Sequence, residues 1–185
     1  MTIANGDEFP VNEMEDPRQP DPAVDLRTLC DDDRAEVLAL NQHWVPHVGS
    51  LDEQSLGSLL ADATLVLGAW SSSGELAGAV IVLDDGADYS SPNYGYFSQR
   101  HDTFTYVDRI MVSPSCQGRG VGWTLYDAVA AHARRCGSPV MCAEVNLTPP
   151  NPQSQAFHSH YGFVEVGRQW TYGDTVEVQL LEFVL

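Results

Sequence analysis

The sequence predicts a mixed α/β (α+β) domain, in which a largely antiparallel sheet of about six to seven strands is flanked by about four helices. Two hairpin patterns support this prediction. Short polar turns join the apolar runs Leu65–Trp70 and Leu76–Leu83, and likewise Phe163–Arg168 and Thr175–Leu185. Between these hairpins a helical pattern links two more strand-like runs, which is typical of a parallel pair. With 185 residues and 43% apolar composition, the chain suits one domain with a substantial core.

The domain is expected to begin close to residue 23. Residues 1–22 are rich in Pro, Asp, Glu and Asn and contain few large apolar side chains, which is typical of a tail outside the core. We therefore assign residues 23–185 to the single domain. Its first strand is expected over Val24–Leu29.

Two helices are expected after this strand. The cluster Asp31–Asp33 supplies capping side chains for the first helix, and because Pro46 stops a helix, Asn41–Pro46 is expected to be a loop. Leu51–Ala61 has the pattern of a second short helix, with Ser50 as its expected cap.

The segment Asp84–Asp102 is expected to be a long loop. Gly, Ser, Pro and Asp are frequent in it, but it also carries Tyr89, Tyr94, Tyr96 and Phe97. So many aromatic side chains argue against disorder. A loop that covers the substrate and a loop that contacts a second subunit both remain open.

The central part of the chain predicts a strand, a turn and a long helix. Phe104–Val112 is the expected central strand, and a helix from Gly122 to Cys136 ends at Gly137. Another strand, Val140–Val145, and a short helix, Gln153–Tyr161, lead into the final hairpin.

The composition excludes several classes of partner. The formal net charge of −17 repels nucleic acid and anionic membranes. No apolar run approaches membrane length and no signal-peptide pattern is visible, so a cytoplasmic protein is expected. The four cysteines form no CxxC pair and have no zinc spacing, which predicts free thiols and no metal site.

The turn Gln117–Gly122 has the features of a phosphate-binding site, because it is rich in glycine and joins a strand to the start of a helix. A nucleotide P-loop requires Lys and Ser/Thr after its last glycine, whereas Trp123 and Thr124 follow here. The GxGxG spacing also departs from a dinucleotide-binding fingerprint. The pyrophosphate of coenzyme A remains as the favoured ligand.

Two blocks of the sequence resemble the GNAT superfamily of N-acetyltransferases. The first is Gln117–Gly122, placed after the strand end Val112-x-Pro114, and resembles the coenzyme A signature of that family. The second, Asn151–Phe163, resembles the family's late helix, which follows an Asn and is closed by Gly-Phe. The resemblance covers roughly residues 23–185. It implies a sheet whose central strands splay apart to hold coenzyme A.

The resemblance also implies the cofactor, acetyl-CoA, and the residues that bind it. The pantetheine arm would pair with the backbone of the central strand, the pyrophosphate would lie on the glycine turn, and the late helix would add side-chain contacts. These residues are Ile110, Met111, Val112, Gln117, Gly118, Arg119, Gly120, Val121, Gly122, Asn151, Ser154 and His158.

Catalytic candidates come from the chemistry of acetyl transfer to an amine, which needs a base for the ammonium and a proton for the leaving thiolate. The family usually has a Tyr four residues before its Gly-Phe, and this sequence has His158 there, with Tyr161 as a substitute acid. Asp108 and Glu144 are the candidate bases, each in an apolar strand. Each could instead belong to a structural ion pair, for example with Arg109, and a water chain could act in their place.

For the acceptor, the resemblance implies the loops around residues 41–51 and 84–103, together with the end of the next strand. The side chains expected to bind substrate are His43, Trp44, Asp84, Tyr89, Tyr94, Phe97 and Asn146. The sequence thus predicts transfer of an acetyl group to a primary amine of a small molecule or peptide, by direct attack in a ternary complex. The alternative is a silent acyl-CoA sensor or regulatory module. The resemblance is compatible with a homodimer.

Overall fold

The computed structural model describes residues 24–185, so the expected tail over residues 1–22 lies outside the described residues. Seven strands and five helices follow one another along the chain. They are β1 (Val24–Thr28), α1 (Arg34–His43), α2 (Glu53–Asp62), β2 (Leu65–Ser71), β3 (Leu76–Asp84), α3 (Pro92–Ser98), β4 (Thr105–Val112), α4 (Val121–Cys136), β5 (Val140–Thr148), α5 (Pro152–Tyr161), β6 (Val164–Thr171) and β7 (Val176–Val184).

One mixed sheet contains all seven strands in the order β1-β2-β3-β4-β5-β7-β6. The neighbours β4 and β5 are parallel and linked by α4, and the other five neighbouring pairs in the described part of the chain are antiparallel. This arrangement confirms the predicted fold class. No helix within residues 24–185 is long and apolar enough to cross a bilayer.

The two faces of the sheet are covered by different helices. Along β3, Val80 and Val82 pack with Leu125 and Val129 of α4, whereas Ile81 faces α1 and α2 on the other side. This alternation follows from the two-residue period of a strand, and the fully apolar sequence of β3 reflects burial on both faces. Helix α5 packs on the α4 side through aromatic side chains such as Tyr161.

The predicted loop Asp84–Asp102 is wrong in its middle, where α3 forms. Ser91 caps this helix through hydrogen bonds from the next backbone N–H groups, and Pro92 occupies its first turn. Tyr94 and Phe97, three residues apart on one face of the helix, are buried in the core. The Ser-Pro pair is the signal that could have revealed this helix, because it combines a cap with a preorganised first residue.

Helix α2 also begins later than expected. Its cap is Asp52, which accepts a hydrogen bond of 2.8 Å from the backbone N–H of Ser55, and not Ser50. In return, the backbone N–H of Asp52 donates a hydrogen bond of 2.9 Å to the Ser55 hydroxyl, which completes a capping box.

The strands β4 and β5 pair only at their beginnings. Thr105 lies opposite Met141 and Tyr106 opposite Cys142, and beyond these two pairs the strands separate. On its other edge β4 stays paired with β3 as far as Val112. One edge of the second half of β4 therefore lacks a neighbouring strand, which leaves backbone groups available to a ligand.

A β-bulge interrupts β4 at Asp108. Val107 is opposite Val82 and Arg109 is opposite Ile81, so Asp108 is an extra residue in the ladder. As a consequence, Asp108 and Arg109 can contact each other, although consecutive strand residues normally point to opposite faces.

Candidate active site

A cavity of about 920 Å³ occupies the space between the separated halves of β4 and β5. Its lining includes the second half of β4, the glycine turn before α4, the start of α5 and the loop after α1. Glu144, Val145 and Asn146 of β5 line it from the opposite side. The sequence elements expected to bind the cofactor and those expected to bind the acceptor thus meet in one cavity.

The glycine turn has the backbone geometry that the sequence predicts for a phosphate site. Gly118 and Gly120 have positive φ angles of 72° and 85°, which other residues adopt only with strain. Gly120 caps α4, a helix of 16 residues whose first backbone N–H groups have no partner within the helix. Together these features form an anion-binding helix start that opens into the cavity.

Helices α4 and α5 approach each other closely beside this turn. A Cβ atom on Gly122 would lie 3.1 Å from the ring of Phe157, so glycine permits the contact. Asn151 begins α5 and accepts a hydrogen bond of 3.2 Å from the backbone N–H of Ser154. Asn151 and Ser154 line the cavity, as do all residues of the glycine turn except Arg119.

These residues fit coenzyme A. The unpaired edge at Ile110–Val112 can hydrogen bond to the amides of a pantetheine arm, and Ile110, Met111 and Val112 all line the cavity. The start of α4 suits a pyrophosphate. The volume is within the range of cofactor-sized pockets, roughly 300–1,000 Å³.

Glu144 is the carboxyl group with the environment of a general base. It is half-buried and lines the cavity, and its Oε2 accepts a hydrogen bond of 2.8 Å from the Tyr106 hydroxyl. Burial, with a further contribution from the negative charge of Asp108, raises its pKa to about 7, although Tyr106, Asn93 and Arg109 oppose this rise. A carboxylate with a pKa near the working pH can accept a proton from an ammonium.

Asp108 is bound in an ion pair instead. Its Oδ2 accepts a hydrogen bond of 2.7 Å from Arg109 Nε, with the two side chains only 5% and 8% exposed, and its Oδ1 accepts one from the Tyr89 hydroxyl. Arg109 also donates to Asn41 Oδ1 at 2.6 Å. Of the two roles left open for Asp108, this geometry favours the structural pair.

His158 is buried, lines the cavity and contacts Tyr126. Its Nδ1 lies 2.8 Å from the backbone oxygen of Ser154, which can only accept, so Nδ1 carries the hydrogen. Burial lowers the pKa of His158 to about 4, against the opposing effect of the Ser154 carbonyl, and the ring is neutral at pH 7. Nε2 therefore accepts the hydrogen bond of 2.7 Å from the Tyr126 hydroxyl. In this tautomer the group that can donate a proton is Tyr126, not His158 as expected.

Tyr161 packs beside this pair but directs its hydroxyl elsewhere. Its hydroxyl donates to Asp127 Oδ1 at 3.0 Å, and its ring packs with Tyr126 and Phe163 in the core. It is not among the residues that line the cavity.

The predicted acceptor residues divide into two groups. Trp44, Tyr89 and Asn146 line the cavity. Trp44 donates to the Val112 carbonyl at 3.0 Å, and Asn146 donates to the Pro46 carbonyl at 3.1 Å, so both also fix the loop after α1.

The other four predicted acceptor residues lie outside the lining. Tyr94 and Phe97 are core residues because α3 directs them inward, and the side chain of Asp84 binds His132 and Thr105. His43 is exposed and packs edge-on against Trp44.

Sequence reasoning missed several residues of the site, because each is brought there by packing and not by a motif. Tyr106 and Tyr126 orient Glu144 and His158, respectively. His47 lines the cavity with a buried Nδ1 that has no hydrogen-bond partner among the described residues. Tyr172, in the turn between β6 and β7, lines it from the side of the last hairpin.

Comparison with known proteins identifies the family. The model of the acetyltransferase (GNAT) family matches residues 26–163. At the level of sequence, no curated protein matches the chain.

Solved structures share the fold. Ard1 from Thermoplasma volcanium superposes with a TM-score of 0.72 at 16% identity, over 88% of this chain and 98% of that one. Salmonella typhimurium yncA, solved with its cofactor acetyl-CoA, gives 0.64 at 20% identity, over 88% and 94%. Arabidopsis thaliana Naa50, in complex with the bisubstrate analogue CoA-Ac-MVNAL, gives 0.67 at 13% identity, over 88% and 99%. Because the family model matches residues 26–163 and the cavity fits the cofactor, the chain belongs to the GNAT family, as an acetyl-CoA-dependent N-acetyltransferase.

Proposed function

We propose that this protein acetylates a primary amine of a small molecule or peptide, and that the amine attacks directly in a ternary complex. The observation that carries the proposal is Glu144, a half-buried carboxyl group with a pKa of about 7 that faces the cavity beside the open edge of β4. When bound, acetyl-CoA supplies the thioester from which the acetyl group is transferred.

Three proton and charge requirements can be met by residues of the cavity. Glu144 accepts a proton from the ammonium, directly or through water, which leaves the neutral amine able to attack. A backbone N–H on the unpaired edge of β4 near Ile110 donates to the developing oxyanion. Tyr126 lines the cavity, and its hydroxyl, which donates to His158 Nε2, is the group that we assign as hydrogen-bond donor or acid to the leaving thiolate.

The character of the acceptor end supports an amine substrate. Aromatic rings of Tyr89 and Tyr172 share the lining with the carboxyl group of Glu144, a combination that suits a cation before it loses its proton. The bisubstrate complex of Naa50 joins coenzyme A to a peptide in a protein of the same fold. Peptide amines therefore belong among the candidates.

A silent acyl-CoA sensor is the alternative. A sensor needs the glycine turn and the open edge of β4 but has no use for a carboxyl group of raised pKa in the cavity. Glu144 thus supports the enzyme over the sensor. A homodimer and a cytoplasmic location remain parts of the proposal, and light scattering of the purified chain tests the first.

The test is release of free thiol from acetyl-CoA in the presence of polyamines, amino acids, aminoglycosides and short peptides, with coenzyme binding measured in parallel by calorimetry. Turnover with one class of amine, absent when the amine is omitted, is the expected result. Tight coenzyme binding without thiol release in any mixture would contradict the proposal and favour the sensor.

A further inference from the structure

A second cluster of chemically reactive side chains lies away from the cavity, at the closed end of the β4–β5 pair. Asp84 ends β3, and His132 and Cys136 lie four residues apart on α4, so that one face of the helix presents both to the carboxylate. The ligand atoms of the three residues all lie within 4.8 Å of one another. Because Asp84 pairs with Thr105, the first residue of β4, the cluster is at the opposite end of that strand from Ile110–Val112.

The distances within the cluster are those of converging ligands. His132 Nε2 is 2.8 Å from Asp84 Oδ2 and 3.6 Å from Cys136 Sγ. The other carboxylate oxygen of Asp84 accepts a hydrogen bond of 2.8 Å from the Thr105 hydroxyl, which fixes the orientation of the carboxylate. Metal ligands commonly have such outer partners, because these orient the ligand before the ion arrives.

The burial of the three residues fits an accessible metal site. His132 and the Asp84 side chain are largely buried, with 11% and 17% of their side chains exposed, whereas Cys136 is exposed. An ion could enter from the side of Cys136, and water could complete a tetrahedral shell. A set of one thiolate, one imidazole and one carboxylate matches the ligands that Zn²⁺ takes.

We propose that Asp84, His132 and Cys136 form a binding site for Zn²⁺, which would tie the end of α4 to the end of β3. On binding, the Cys136 thiol releases its proton to solvent, and His132 Nε2 gives up the hydrogen that it donates to Asp84 Oδ2, so that the neutral ring binds the ion through Nε2 and carries its one hydrogen on Nδ1. The two negative charges of the thiolate and carboxylate then balance the charge of the ion. Affinity falls at low pH because protons compete for the same atoms.

A comparison within the molecule shows why this cluster is preferred. His101, Cys142 and Glu182 also converge within 4.8 Å in the described part of the chain. There, however, Arg100 already pairs with Glu182, and burial raises the pKa of the fully buried Cys142 thiol, which makes thiolate formation costly.

The experiment uses the purified full chain after treatment with a chelator and dialysis. Co²⁺ is added as a spectroscopic probe, and Zn²⁺ is then used to displace it. One equivalent of Co²⁺ should produce a thiolate-to-cobalt charge-transfer band, and one equivalent of Zn²⁺ should remove it. Cys136→Ser should abolish the band, and Thr105→Val should weaken the affinity roughly 10–100-fold, the usual effect of losing an outer partner.

Two matched variants keep the result interpretable. Cys30→Ser changes another exposed cysteine, and Cys142→Ala changes the cysteine of the alternative cluster, so both should retain the band. Circular dichroism confirms that each variant is folded. The proposal is overturned if the band does not form, if it survives Cys136→Ser, or if Cys142→Ala removes it. Because none of these readouts involves acetyl transfer, they are independent of the proposed acceptor.

Discussion

At the beginning of the β4–β5 pair, Thr105 and Tyr106 lie opposite Met141 and Cys142 in the parallel ladder, and all four residues are buried without measurable exposure. At the other end the same two strands diverge around a cavity. The first region satisfies its backbone groups internally, whereas the second leaves them to a ligand. The difference teaches that one pair of strands can provide stability at one end and chemistry at the other.

Within the open region, two carboxyl groups show the same division on a smaller scale. Asp108 is neutralised by Arg109 and held by Tyr89, so it contributes to structure. Glu144 has hydrogen-bond donors but no cation in direct contact among residues 24–185, and its pKa rises to about 7. The predictions below test this distinction, beginning with the largest expected effect.

Glu144→Gln should lower kcat/KM by about 10²–10⁴-fold, because it removes the proton acceptor while keeping the shape of the side chain. Binding of coenzyme A, measured by calorimetry, should remain unchanged. Glu165→Gln is the matched control, because Glu165 is exposed and lies in β6, outside the cavity lining. Equal activity of Glu144→Gln and the control would assign the base elsewhere.

Asp108→Asn should act mainly on stability. It leaves the buried guanidinium of Arg109 without its carboxylate, which costs about 3–5 kcal/mol of the free energy of unfolding. Urea titration followed by fluorescence measures this loss, and Glu165→Gln, which breaks the exposed pair with Arg168, should scarcely move the midpoint. A normal midpoint together with a complete loss of turnover would reverse the roles of the two carboxyl groups.

The pH dependence of kcat/KM should report the ionisation of Glu144. Since its carboxylate is the active form, kcat/KM should rise roughly tenfold per unit below pH 7 and level off above. Asp108→Asn removes a negative charge near Glu144, so it should shift the rising part of the pH profile to lower pH. If Glu144→Gln keeps the same rise of kcat/KM with pH, Glu144 is not the group that titrates.

The contribution of Glu144 to folding stability should fall as pH rises, which is the opposite of the trend in kcat/KM. The folded-state pKa of about 7 lies above 4.5, the ordinary pKa of a glutamate side chain. Its stabilising contribution is therefore fully present below about pH 4.5 and is lost as pH rises through 7. Urea midpoints of the wild type and of Glu144→Gln, measured between pH 5 and 8, isolate this contribution. The midpoint of the variant should change less with pH than that of the wild type.

Tyr126→Phe should cost about 1–3 kcal/mol of stability, because the buried Nε2 of His158 loses its donor. It should also lower kcat more than it changes KM, if the hydroxyl serves the leaving thiolate. Tyr161→Phe is the paired comparison, since it removes a hydroxyl bonded to Asp127 from the same aromatic cluster but outside the cavity lining. A similar fall of kcat in both variants would indicate a structural effect alone.

Gly120→Ala should produce the smallest effect, a roughly tenfold weaker binding of coenzyme A. The positive φ of 85° costs a side chain about 1–2 kcal/mol, and the strain falls on the phosphate-binding turn. Gly86→Ala imposes the same strain at φ 82°, with open space around its Cβ and away from the cavity. Calorimetry should detect weaker binding only in the first variant.

The sequence predicted the elements that repeat a simple period or carry a capping signal. The hairpin of β2 and β3 and the helix α4 with its stop at Gly137 were anticipated closely. The glycine turn was recognised because its special backbone angles demand glycine. In contrast, α3 was missed because seven residues with an internal glycine give a weak helical pattern.

The arrangement of the site was predictable only in part. The motif predicted His158 as a candidate acid, but its hydrogen-bond partner Tyr126 lies 32 positions earlier in the chain and arrives through helix packing. The roles of Asp108 and Glu144 could not be separated because strand alternation fails at a bulge, and no local pattern announces one. Asp84, His132 and Cys136 likewise converge only after folding.

The bulge at Asp108 has a consequence for how the chain can change by insertion and deletion. Val107 and Arg109 lie opposite two residues of β3 that are consecutive in the chain. Loss of Asp108 would therefore leave a regular ladder, with the flanking side chains on their present faces. Tyr106 and Met111 would still face α1, and Ile110 would still face α4. In evolutionary terms, the buried pattern on either side tolerates the loss of this one residue, but the charge of Asp108 can be lost only together with that of Arg109, which it neutralises.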